Sequence, residues 1–237
     1  RFGDALASAQ RALRGFEAVG DDIGAGRAHR LAAYAHSNMA EEAASRAAAL
    51  RAAELARRSG DARGLGDALI VLGFGCKDIA ERIGLLQQAA PAYERSGQTF
   101  GTGLVKANLA MAFAELGLYR RACRLMTELM NLSDIGESRQ SLTFMTGSLI
   151  GFEIALGETA RARQRWAGYD ALVDSLDNPG TRGQRILVAS ELALAEGDAA
   201  SAARTLRALL RAPGHERAGF VPLILAGHFW DGLLDWA

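Results

Sequence analysis

Apolar side chains return every three or four residues along this chain, in long blocks that small residues, mostly glycine, bring to a close. That spacing places the apolar positions on one face of an α-helix. The pattern is sharpest late in the sequence. Gly117, Gly157 and Gly197 stand 40 residues apart, and Ala122, Ala162 and Ala202 each follow five residues on. Met126, Trp166 and Leu206 come four later, then Leu129, Tyr169 and Leu209 three beyond those. Such a ladder predicts a helix hairpin. The glycine ends a first helix in the left-handed conformation, and the small alanine lets a second helix approach closely. The large residues share a face that packs between neighbouring hairpins. Asp198 is the expected N-cap of one second helix, and Glu158-Thr159 hold the comparable place in another.

Earlier copies follow the same plan less regularly. Gly20-Asp21, Gly60-Asp61, Gly97-Gln98 and Gly136-Glu137 each close an amphipathic stretch and mark the turn into the next first helix. Hairpins are predicted at about 22–59, 62–96, 99–135, 138–176 and 181–211, within one array over 1–237. Residues 4–18 form a second helix without its first partner, and 216–236 begin a further helix, so the chain is expected to be a segment of a longer protein. Pro91 predicts a kink, or a break between a piece ending near Gln88 and one starting at Pro91. The expected fold is all-α: a right-handed α-solenoid of tandem helix hairpins.

Composition narrows the partners. Lys+Arg and Asp+Glu balance at 27 each, so no net field points to nucleic acid or to an anionic membrane. The cations are almost all arginine, with lysine only at Lys77 and Lys106; together with the abundant alanine, this suggests a bacterial source. The longest apolar run, Phe220 to Leu225, is too short to span a bilayer. Cys76 and Cys123 fall within helical patterns and read as reduced, buried small residues in a cytoplasmic protein.

Residues 106–122 carry a family resemblance. Asn108, Leu109, Ala110, Phe113, Gly117, Tyr119 and Ala122 fill the places of the tetratricopeptide consensus, although the period here is near 40 and the family's is about 34. The closing proline of each family repeat is absent. The longer repeat is similar to those of large bacterial signalling proteins, nucleotide cyclase-associated or LuxR-type regulators. This resemblance implies a regulatory module whose catalytic or DNA-binding domain lies elsewhere in the parent.

The residues offer little chemistry of their own. There is no Gly-x-x-x-x-Gly-Lys-Ser/Thr loop, and the glycines of 24–26 and 64–66 do not follow a strand, so close helix packing explains them. His29 and His36 share a helix face but lie about 10 Å apart, too far to share a metal. His215 and His228 form no ligand pair. No serine sits in a nucleophile elbow. Cys76 has Lys77 and Asp78 beside it, but its place on the packing face of a first helix favours burial. Glu41-Glu42 and Asp21-Asp22 fall at helix starts, where they complement the dipole. Neither an enzymatic role nor a cofactor is expected.

In tetratricopeptide proteins the first helices line a concave groove, and the resemblance implies groove positions at fixed offsets. They are His29, Ala33 and His36; Asp67, Ile70, Phe74 and Lys77; Leu104, Ala107, Met111 and Ala114; Phe144, Gly147, Gly151 and Ile154; and Gln184, Leu187, Glu191 and Leu194. Glu153 falls at a nominal core site, which leaves the register open by one residue. Each of Phe74, Met111 and Phe144 reads equally well as groove or as core. The expected function is to bind a protein or peptide segment, including one from the same parent chain. The alternative is a sensor holding a small molecule or signalling peptide. The apolar stretch from Phe220 to Trp236 offers an edge for self-association or for a further hairpin.

Overall fold

Helix starts fall on a twenty-residue beat. The computed structural model describes residues 2–74, 76–131, 138–176 and 179–211. These residues form eleven α-helices: α1 Phe2–Ala18, α2 Asp22–Asn38, α3 Glu42–Ser59, α4 Ala62–Phe74, α5 Ile79–Arg95, α6 Thr99–Glu115, α7 Tyr119–Met130, α8 Arg139–Ala155, α9 Thr159–Asp174, α10 Pro179–Ala195 and α11 Ala199–Arg211. Successive starts are 20 residues apart with one exception, α5, which begins 17 residues after α4. The 40-residue period is therefore two equal helical steps. The shortfall lies in α4, which has 13 residues where α2, α6, α8 and α10 have 17.

Losing that last turn corrects the expected position of Cys76. It lies in the connection after α4, not on a helix face, because Asp78 starts α5 by accepting hydrogen bonds from the Ala80 and Glu81 amides. The thiol is buried and donates at 3.2 Å towards the Asp78 carbonyl and the Glu81 carboxylate. Burial raises its pKa, with the Glu81 hydrogen bond adding to the effect, so the thiol stays protonated and inert. Cys123 is half-buried and is likewise a free thiol. Pro91 brings a second correction. The break near Gln88 does not occur, and α5 runs unbroken from Ile79 to Arg95. Pro91 and Gln87 are both exposed, so water can replace the hydrogen bond that proline denies the Gln87 carbonyl.

The turns share one backbone device. Gly20, Gly60, Gly97, Gly117, Gly157 and Gly197 all adopt positive φ, and the amide of the following residue bonds back to the preceding helix, as Asp61 N does to the Ala56 carbonyl at 2.9 Å. The turn between α2 and α3 uses Ala40, at φ 60°, in the same role. Asp21, Asp61 and Asp198 then cap the next helix through bonds of 2.9 Å to the amides of Gly24, Gly64 and Ser201.

Helix junctions in the first part of the chain are locked by a ring on a glycine. Phe16 lies over Gly24 and Tyr93 over Gly101, each pair eight residues apart across a turn; a Cβ on either glycine would come within 2.3 Å and 2.1 Å of ring carbons. At the matching places between α3 and α4 stand Ala56 and Gly64, with no ring, and the helices meet there through Ala52, Ala53, Ala68 and Leu65. Tyr93 also faces Gly66 of α4, so one ring fixes three helices.

The chain divides into two compact units, Arg1–Ala112 and Phe113–Ala237. In the first, each helix from α1 to α5 packs on its neighbours in sequence, and α2 also meets α4. Its core runs through Ala49, Leu69, Leu72, Leu86, Tyr93 and Val105. In the second, α8 packs on α7, α9 and α10, and α10 on α11, around Ile150, Tyr169, Val173, Val188 and Leu192. Glu153 resolves the register question in favour of the core. It is 1% exposed, with its carboxylate held by Arg165 at 2.7 Å and Arg161 at 3.1 Å. No described helix is long and apolar enough to cross a membrane. Gly136-Glu137, His215, His228 and the apolar stretch from Phe220 lie outside the described residues.

Candidate functional site

The twenty-residue beat gives a register for the first helices that needs no turn signal. Leu104 and Met111 lie five and twelve residues after the start of α6, and the same offsets give Asp67 and Phe74 in α4, Phe144 and Gly151 in α8, and Gln184 and Glu191 in α10. In α2 they give Arg27 and Tyr34, with Arg30 at the intermediate position. His29 and His36 are two residues out of step. His29 is half-buried, and its pKa is lowered by burial first and by Arg51 of α3 second. His36 binds the Glu41 carboxylate across the turn into α3.

Two contacts, one in each unit, agree with this register. Arg30 of α2 pairs with Asp67 of α4 at 3.5 Å. In the second unit a Cβ on Gly147 of α8 would meet Gln184 Nε2 of α10 at 3.0 Å. Both join the residue eight after one helix start to the residue five after the next.

On the first unit this register defines an exposed face. Leu31 and Tyr34 of α2 are 50% and 46% exposed, and Phe74, the counterpart of Tyr34 on α4, is 38% exposed. Asp67 ties the two helices together, since it pairs with Arg30 and also accepts a 2.7 Å hydrogen bond from the Tyr93 hydroxyl. Burial, then that bond to a carboxylate, pushes the Tyr93 pKa far above its usual value, so the phenol remains a donor. Lys77 is exposed and pairs with Glu42 at 2.9 Å. Ile70 is buried beneath this face. A cleft among Asp22, Ile23, Arg27, Arg30, Asp61 and Gly64 encloses only about 10 Å³, room for roughly one water.

Farther along, Leu104 and Ala107 are half-buried, and Met111 and Ala114 are buried. Met111 therefore belongs to the core. In the second unit Phe144, Ile154, Gln184, Leu187 and Glu191 are half-buried and Leu194 is exposed, while Gly147 and Gly151 are buried and bring no side chain to the face. Glu191 has no hydrogen bond or ion pair among the described residues, and burial alone pushes its carboxyl up to about 7. The Tyr169 hydroxyl, fully buried beside Gly147, likewise has no hydrogen-bond partner among the described residues. Sequence reasoning named Glu191 but missed Leu31 and Tyr34. Among the described residues no three His, Cys, Asp or Glu side chains gather as a metal site would require.

No family model and no curated protein matches this chain. Solved structures do. BtubC (BKLC) from P. vanneervenii is similar over 90% of this chain and 93% of its own, with a TM-score of 0.69 at 16% identity. A candidate kinesin light chain of Podosopora anserina with nearly identical TPR-like repeats covers 85% of this chain and 92% of its own, with a TM-score of 0.43 at 14% identity. The fold is that of a tetratricopeptide-like helical repeat protein.

Proposed function

We propose that this chain is a protein-binding scaffold whose first helices receive a segment of a partner. Repeat folds of this kind commonly present such surfaces. The observation that carries the reading is that Tyr34 and Phe74, at matching positions of two packed helices, are 46% and 38% exposed, with Leu31 50% exposed beside Tyr34. Burying them is worth more to a complex than to the free chain, and Asp67 holds their helices in place beforehand. The hairpins act as copies in one array, and the module serves a larger bacterial, cytoplasmic signalling protein in a regulatory capacity. A small molecule held between α2, α3 and α4 is less well supported, since the cleft there accepts about one water.

Photo-crosslinking tests this reading. Benzoylphenylalanine replaces Tyr34, Phe74 or the exposed Arg57 of α3 in turn. A partner should be trapped from Tyr34 and Phe74 but not from Arg57, and Leu31→Glu should weaken that partner's binding to the purified chain while circular dichroism is unchanged. Equal trapping from all three positions would defeat the proposal.

A further inference from the structure

The second unit carries a carboxylate that its own fold does not use. Glu191 stands twelve residues into α10, between Leu187 and Leu194, which are respectively half-buried and exposed. The contact of Gly147 with Gln184 sets the offset between α8 and α10, and by it Gly151 lies beside the buried Val188 and Ile154 beside Glu191. The face thus sets a single acid among the apolar side chains of Ile154, Leu187 and Leu194.

Several of the charged groups on the helices packed against α10 have other occupations. On α8, Glu153 is taken by Arg165 and Arg161. On α9, Asp170 and Asp174 hold Arg185, and Arg163 holds Glu196. On α11, Arg204 bonds to Ser201 beside the Asp198 cap. No charged group contributes to the Glu191 environment, which is set by burial. A half-buried anion without a counter-ion is costly, and such groups concentrate where a ligand completes them.

We infer that the α10 face takes a partner segment presenting a lysine or arginine between apolar residues, its cation paired with Glu191 and its neighbours seated on Leu187, Leu194 and Ile154. This rests on the reading of first-helix faces as binding surfaces and names the chemistry of what one of them binds. The complementarity is specific. An acidic segment would meet a like charge, and a purely apolar one would leave the acid buried and unpaired.

Proton linkage follows. The free carboxyl titrates near 7, so about a tenth of it is ionised at pH 6 and about nine-tenths at pH 8, and a ligand that selects the anion binds about tenfold more tightly at pH 8. The probes are a blocked Ala-Leu-Lys-Leu-Ala peptide and its counterpart with norleucine in place of lysine, titrated into the whole chain by NMR at both pH values. The lysine peptide should show the tenfold change and lower the Glu191 titration midpoint, and the norleucine peptide should show neither. Glu191→Gln, a conservative change, should abolish the difference between the peptides. Equal binding of the two peptides at pH 8, no binding up to millimolar concentration, or a preference that survives Glu191→Gln would each overturn the inference. Because Leu31, Tyr34 and Phe74 are on the other unit, the crosslinking result stands or falls separately.

Discussion

Replacing Glu191 with glutamine should stabilise the protein, and by an amount that grows with pH. The ordinary glutamate value is 4.5, and burial raises the folded one to about 7. The folded state therefore holds its proton over a range in which the unfolded chain has already released it. Stability lost to this group is negligible below about pH 4.5, grows as pH rises towards 7, and is complete above it. The gap sets an upper limit on the order of 3 kcal/mol, reduced by whatever water reaches the half-buried oxygens. Glutamine keeps the shape and some of the polarity but carries no proton to lose. Urea unfolding of both proteins at pH 5 and pH 8 measures the effect, since every other carboxylate is common to the pair and cancels. The expected result is a gap below about 1 kcal/mol at pH 5 that widens to about 2 kcal/mol in favour of the glutamine variant at pH 8. A difference between the proteins that does not change with pH would refute the reasoning, because it would mean that Glu191 titrates alike in both states.

Two further substitutions test the fold. Ala40→Gly should raise stability by about 1 kcal/mol, seen as a higher melting temperature, because the left-handed conformation at φ 60° is unfavourable for alanine and easy for glycine. Gly101→Ala should cost about 1–3 kcal/mol in denaturant unfolding, since the new methyl would lie 2.1 Å from a Tyr93 ring carbon and the ring has no free side to move to between α4 and α6.

Much of the helix order was legible because glycine marks most of the turns. Six glycines take the left-handed conformation, and their positions announce where helices stop. Ala40 does the same work without the signal, so nothing in the residue type reveals the turn after α2. The groove positions read in that helix from the family offset, His29 and His36, lie two residues from those that the helix starts give, and the exposed Tyr34 was not among them. Cys76 misled for a related reason. The apolar run Ile70 to Phe74 reads as though it continues, and the Asp78 cap that ends the possibility is visible only once the next helix is placed. Whether Met111 is groove or core depends on how closely other helices approach it, which periodicity does not encode; it proves to be buried. The lone state of Glu191 was equally out of reach, since it depends on which cations its neighbours have already claimed.

The ring-and-glycine lock also bears on how such an array can be rearranged. Its two halves belong to different hairpins, so copying or exchanging a hairpin separates a ring from the glycine it was fitted to. Within the first unit the exchange is harmless, because α2, α4 and α6 all carry glycine two residues after their starts, at Gly24, Gly64 and Gly101. The first helices of the second unit carry Ser141 and Thr181 at that position, and the helix before Thr181 presents Val173 where Phe16 and Tyr93 stand. A hairpin ending in a Tyr93-like ring therefore fits in front of α2, α4 or α6 but not in front of α8 or α10. Shuffling between the two units is therefore limited in one direction, because a ring needs a glycine facing it while a glycine, as at Ala56 and Gly64, packs without a ring.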